Sequence, residues 1–305
     1  MLKKILIINS LLLLSYLNVI KLKKTKVCLC TVGKLENLYV KEYISHYIKL
    51  GLDKIFIYDN NEEKGERFED VIKEYIERGF VEIINFRGIL NPQLNAYQDC
   101  LNKNYNKYNF LLFYDMDEFI YLKDFGNIKY FLNQKKFIKC QTIQLNMYFH
   151  GDNNLLNYDN RALSQRFKKK IKRPVVALKS ILKGNIKIKI DCVHNINNNL
   201  KSCNALGKIN NKEKIKIFTI NPDYKFYYID HFCFKSTEEF VNKLNRGSAF
   251  YGYDNKIKLK KIDWYFGINE LSLQKINYIE KYAKINLTKY RIKISNKSYT
   301  NNKKY

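Results

Sequence analysis

The sequence predicts an α/β fold with a mostly parallel central sheet, and three observations predict it. Short apolar runs alternate with amphipathic helical stretches four times in the first 115 residues. Each connection is long enough for a crossover, which parallel neighbours require and hairpins do not. Several runs are continuously apolar, as strands buried on both faces are. The first run, residues 27–32, stops at Gly33. From Val40, apolar residues recur at Ile44, Tyr47 and Ile48, a helix ended by Gly51. Residues 55–58 form the second strand, with Asp59, Asn60 and Asn61 as its turn. Phe68, Val71, Ile72, Tyr75 and Ile76 keep helical spacing up to Gly79, and 81–84 is the third strand. A helix over 93–105 follows Pro92, and 110–114 is a wholly apolar fourth strand. Thr31, Asp59 and Asp115 therefore lie at or just past strand carboxyl ends, where open α/β sheets bind ligands.

Later elements are sparser. Residues 142–149 and 226–234 alternate like strands, and 153–160 is a polar loop. Ser236 and Glu239 form a capping box for a helix running to Arg246 and Gly247. Leu273, Ile276, Ile279 and Tyr282 mark a late helix, and 295–305 is a polar tail expected to fray.

Composition narrows the class of function. With 46% hydrophobic residues the chain can bury a core, which excludes global disorder. Apolar runs of membrane-spanning length do not recur, which excludes a multi-span transporter. Lys and Arg number 55 against 29 Asp and Glu, a net charge of +26. Lys is spread from Lys3 to Lys304 rather than gathered on one arm, so no nucleic-acid partner is expected. Seven Cys without a C-x-x-C pair suit a reducing compartment better than a disulfide framework. Cys192, His194 and Cys203 lack a fourth ligand at zinc-finger spacing. Residues 5–20 are uncharged and flanked by Lys3, Lys4 and then Lys21, Lys23, Lys24 and Lys26. The run is shorter than the ~20 residues of a spanning helix, and its basic flank favours the cytoplasmic side. The expectation is a cytoplasmic protein associated with a membrane surface through this segment.

The most informative stretch is Asp115-Met116-Asp117-Glu118, directly after the fourth strand. Three carboxylates within four residues repel one another unless a cation offsets them. Carboxylate oxygens suit Mg²⁺ or Mn²⁺, which in turn bridge diphosphate oxygens. No P-loop and no G-x-G-x-x-G is present.

Residues 28–121 resemble glycosyltransferase family 92. The matches are Glu42-Tyr43, His46-Tyr47, Leu50-Gly51, the strand at 55–60, Gln93, Ala96, Cys100-Leu101 and Asp115 to Phe119. Tyr148-Phe149-His150-Gly151 is similar to the family's aromatic element, and His231-Phe232 through Lys243, Arg246 and Gly247 to its C-terminal signature. The resemblance implies a GT-A (Rossmann-like) domain over 25–290, after the N-terminal segment 1–24 and before a tail 291–305. It also implies an inverting hexosyltransferase with a nucleotide-sugar donor, a UDP-sugar, a glycan or lipid-linked acceptor, and Mn²⁺ or Mg²⁺. Asp115 and Asp117 match the Asp-x-Asp motif, with His231 as the late metal ligand and His194 as its alternative. Thr31, Asp59, Gln93, Asp115, Lys243 and Arg246 are assigned to the donor. Glu118 is a catalytic candidate and Asp152 a candidate base, with Asp230, Glu238 and Glu239 as rivals. Two other functions compete: a basic module binding nucleic acid or anionic glycan, and a metal-dependent hydrolase or phosphotransferase.

Overall fold

The computed structural model describes residues 24–171, 175–197, 199–209, 218–220, 224–247 and 255–301. The apolar run 5–20 lies outside them, and no described helix is long and apolar enough to cross a membrane.

The predicted alternation is present. It runs β1 (Val27–Gly33), α1 (Val40–Lys49), β2 (Lys54–Asp59), α2 (Glu69–Glu77), β3 (Val81–Asn85), α3 (Pro92–Asn104) and β4 (Phe110–Phe113). Strand order is β3-β2-β1-β4, and every pair in it is parallel. Helix α1 buries Val40, Ile44 and Tyr47 of the expected stripe, with Tyr43 as the fourth buried position and Ile48 only half-buried. It ends before Gly51, whose φ of +98° leaves no room for a Cβ beside the Asn127 side chain.

The chain then completes the sheet from its other side. It forms β5 (Glu118–Leu122), α4 (Ile128–Leu132), β6 (Thr142–His150), α5 (Leu163–Arg166), β7 (Lys170–Ile171) and β8 (Val175–Lys183). These are followed by β9 (Ser202–Asn204), β10 (Phe218–Ile220) and β11 (Tyr227–His231). The sheet continues β4-β8-β6-β11-β5. Strand β8 is antiparallel to both β4 and β6, β11 is parallel to β6, and β5 is antiparallel to β11. The sheet is thus mostly parallel, with β8 and β5 running against it along the main path. Four helices close the described chain: α6 (Thr237–Asn245), α7 (Asn255–Ile268), α8 (Leu273–Ala283) and α9 (Thr288–Asn301). The expected frayed tail is helical as far as Asn301, anchored upstream by buried Leu287 and Tyr290.

Two cysteine pairs correct the expectation of free thiols. Cys30 on β1 is bonded to Cys100 on α3, and Cys140, two residues before β6, to Cys203 on β9. Sequence separations of 70 and 63 residues hide such pairs, because the fold alone makes them neighbours. The second bond also removes Cys203 from any zinc set.

Candidate active site

The register of β11 against β5 builds the site. His231 stands opposite Glu118, and the Phe232 amide donates to the Asp117 carbonyl at 2.8 Å. The acidic turn after β4 and the late histidine thereby meet at one sheet edge. They face a cavity of about 600 Å³ whose walls include Asn60, Gln93, Asp115, Asp117, Glu118, His194, His231, Lys243 and Arg246. Gly33, at the end of β1, admits no Cβ here, because Phe68 Cζ and the Met116 methyl would lie 2.5 and 2.7 Å away.

Each acid has a fixed set of partners. Asp115 Oδ1 accepts from Gln93 Nε2 at 2.6 Å and from the Tyr97 hydroxyl at 2.9 Å. Its Oδ2 lies 3.3 Å from Lys179 Nζ. Burial disfavours its charge most, but Lys179, the Tyr97 hydroxyl and His231 together hold the carboxyl below its ordinary value. Asp117 Oδ2 lies 2.5 Å from Lys243 Nζ, and Oδ1 lies 3.4 Å from His231 Nε2. Against burial, these two groups keep Asp117 well below the usual carboxylate range. Glu118 differs. Burial pushes its carboxyl up to about 7, although Lys179 is 3.3 Å from its Oε2. Its Oε1 is buried without a hydrogen-bond partner.

Lys179 is the residue that sequence reasoning missed. It sits on β8, fully buried, against Asp115 and Glu118 and 3.5 Å from the Phe113 carbonyl. Those carboxylates overcome its burial and hold its ammonium above the ordinary value. In the sequence it is one Lys among many, and only the β4–β8 pairing singles it out.

The remaining candidates divide into those the fold gathers and those it does not. Lys243 and Arg246 reach the cavity from α6 and from the residue after it, under the expected Ser236–Glu239 capping box. Arg246 is ion-paired to Glu36 at 2.6 Å. His194 is also in the wall. Its Nδ1 donates to the Leu178 carbonyl at 3.0 Å, and burial with Lys179 nearby lowers it to about 4. A neutral ring with Nδ1–H so engaged presents the Nε2 lone pair.

Thr31, Asp59 and Asp152 are not among the residues the fold brings to this wall. Strand β1 runs on to Gly33, so Thr31 is an interior residue turned away, and Val32 lines the cavity instead. The Asp59 carboxylate is closed off by Arg87 at 2.6 Å and by Asn61 at 2.7 Å, and its neighbour Asn60 faces the cavity. Asp152 is buried behind the wall, where Oδ2 accepts from the Tyr265 hydroxyl at 2.6 Å and pairs with Lys275 at 2.7 Å. The rival bases are also engaged elsewhere. Asp230 pairs with His150 and Lys170, Glu239 with Arg166, and Glu238 accepts from the Tyr158 amide.

The spacing of these donors suits a divalent ion. The 3.4 Å between Asp117 Oδ1 and His231 Nε2 is close to the ~3.1 Å edge spanned by adjacent ligands ~2.2 Å from an octahedral ion. The buried His231 Nδ1 has no hydrogen-bond partner. Among the described residues no three His, Cys, Asp or Glu side chains already converge as a ligand group. Mg²⁺-type ions nevertheless take one or two carboxylates and complete their shell with phosphate and water. The residues therefore fit such an ion, with Lys243 sharing the other oxygen of Asp117.

Fold and site together define an α/β protein with a mostly parallel sheet and an acidic turn at the carboxyl edge of its parallel strands. The glycosyltransferase family 92 profile matches residues 23–217, more than half of the chain, and the chain belongs to that family. A family 92 protein of Ricinus communis is 26% identical over 100 residues, which is 33% of this chain and 18% of that protein. One of Arabidopsis thaliana is 29% identical over 102 residues, covering 32% and 17%. The chain thus spans less than a fifth of the length of these curated relatives. Among solved structures, residues 1–349 of S. aureus TarS in complex with UDP align at 11% identity and a TM-score of 0.33. The alignment covers 41% of this chain and 36% of that one, a likeness too slight to build on.

Proposed function

We propose that the protein is a metal-dependent inverting glycosyltransferase that moves a sugar from a nucleotide-diphosphate donor, UDP-linked as the simplest choice, to a hydroxyl of a glycan or lipid-linked acceptor. The observation that carries this reading is the meeting of Asp115, Asp117 and His231 with Lys243 and Arg246 on one cavity wall. Two acids and an imidazole suit a divalent ion, and two cations beside them suit the diphosphate it would bridge. An ion held by Asp117 and His231, with Asp115 beside them, would neutralise the charge that develops on the departing nucleotide diphosphate. Lys243 and Arg246 hold the same phosphates from the end of α6, and Gln93 with Tyr97 fixes the rotamer of Asp115. Glu118 is the cavity carboxylate left to take the acceptor proton, since its Oε1 has no hydrogen-bond partner.

The test is transfer or hydrolysis of UDP-hexoses with Mn²⁺ by the wild type and by Asp117→Ala. The reading expects at least a hundredfold loss of turnover in the variant. Unimpaired Asp117→Ala sinks the metal role, and release of phosphate from simple esters favours the hydrolase instead.

A further inference from the structure

Four Lys and Arg side chains line the cavity: Lys34, Lys243, Arg246 and Lys261. The first three have carboxylate partners in Glu62, Asp117 and Glu36. Lys261, on α7, has neither an acid nor a hydrogen-bond partner among the described residues. Burial, with Lys243 and Arg246 nearby, lowers its ammonium to about 8. A half-buried ammonium without a counter-charge is costly unless a ligand supplies one.

One helical turn further along α7 stands Trp264, on the same face and in the same wall. It makes edge contacts with Phe149 at 5.5 Å and Phe234 at 4.7 Å, which fix the indole. It remains 36% exposed, the larger part of its surface covered. A rigid aromatic surface beside a charge is a fitting wall for a sugar ring, whose C–H faces are apolar and whose substituents are polar. Helix α7 also lies beyond the matched segment 23–217, so the family match says nothing of it.

We propose that Lys261 and Trp264 form the acceptor subsite, and that it takes a pyranose bearing a carboxylate or a phosphate. Trp264 receives the ring and Lys261 the anion. The inference rests on the cavity being a glycosyl-transfer site, and it names the acceptor class for that site.

Trp264 is the sole tryptophan of the chain, so intrinsic fluorescence reports from the subsite itself. The full chain is titrated with trigalacturonate, with galactose 6-phosphate and with neutral galactotriose, and UDP with Mn²⁺ is titrated separately by calorimetry. The expected result is a change in Trp264 emission with half-saturation at least tenfold lower for one acidic probe than for galactotriose. Whichever acidic probe binds tighter distinguishes carboxylate from phosphate. Lys261→Gln is expected to erase the preference, Lys261→Arg to retain it, and both to leave UDP affinity within twofold. Equal binding of acidic and neutral probes overturns the proposal. So does UDP binding without any saccharide binding, which leaves the transferase reading standing. A tenfold loss of UDP affinity in Lys261→Gln without change for saccharides overturns it too, and moves Lys261 to the diphosphate. Absence of both UDP and saccharide binding in the wild type brings down the transferase reading as well.

Discussion

Replacing Lys179 by Met tests whether one buried ammonium holds the acidic turn together. Its Nζ is 3.3 Å from an oxygen of Asp115 and 3.3 Å from one of Glu118. At an effective dielectric constant of ~20, each contact is worth about 5 kcal/mol of gross attraction. Burial of the three charges offsets most of that. Removing one member of a buried ionic group nevertheless costs about 3–5 kcal/mol, because its partners stay buried and uncompensated. For a chain of this size the loss corresponds to roughly 5–8 °C in Tm. The sign of its pH dependence follows from the same charges. Without Lys179, burial and mutual repulsion raise the folded-state values of Asp115 and Glu118 above their unfolded ones. A group raised in this way favours the folded state below its unfolded value, and that contribution is lost as pH rises through the folded value. The deficit of Lys179→Met is therefore largest at pH 8 and shrinks toward pH 5. Adding Glu118→Gln to Lys179→Met recovers part of it. Thermal melts of the three proteins at pH 5 and pH 8 measure this. A Lys179→Met Tm within 2 °C of wild type at both pH values would refute the electrostatic account of the turn.

Other outcomes follow from the same contacts. Asp152→Ala leaves Lys275 buried against Tyr265 and is expected to cost about 3 kcal/mol in chemical denaturation, while the folded fraction keeps its transfer rate. A loss of rate without loss of stability restores Asp152 as the base. Ser236→Ala removes the capping box of α6 and is expected to cost about 1 kcal/mol, read as a lower denaturation midpoint at unchanged slope. Reduction of Cys30–Cys100 and Cys140–Cys203 opens long loops, and loss of either bond is expected to cost about 4 kcal/mol, seen as a lower Tm with reductant present. Glu36 is buried, yet Arg246 and Lys235 hold its carboxyl below the usual value. Its contribution is present above the ordinary carboxylate range and is lost as pH falls through the lowered value. Acid unfolding followed by circular dichroism is therefore expected to be less steep in Glu36→Gln.

The parallel half of the fold was legible because each strand there is a short apolar run and each helix carries a buried stripe. Asp115, Asp117 and Glu118 were legible for the same reason, since chain order alone puts them at a strand end. Parity was not legible. Thr31 lies inside β1 and is buried, and alternation gives the next residue, Val32, to the cavity. Asp59 looked like a ligand for donor, but Arg87, brought over from beyond β3, closes it. Strand β8 was hidden because Lys179 interrupts its apolar pattern, and only its distant acid partners explain a buried lysine there. Helix α7 was hidden as well. Its lysines mask the periodicity, although Ile262 and Tyr265 are its buried positions.

The central claim is that Asp117 and its neighbours bind a nucleotide diphosphate through a divalent ion. Calorimetric titration with UDP, in Mn²⁺ and then in EDTA, addresses it directly with wild type and Asp117→Asn. The account predicts binding by the wild type in Mn²⁺, abolished by EDTA and weakened at least tenfold in Asp117→Asn. Equal UDP affinity in Mn²⁺ and EDTA, or in wild type and variant, would contradict it.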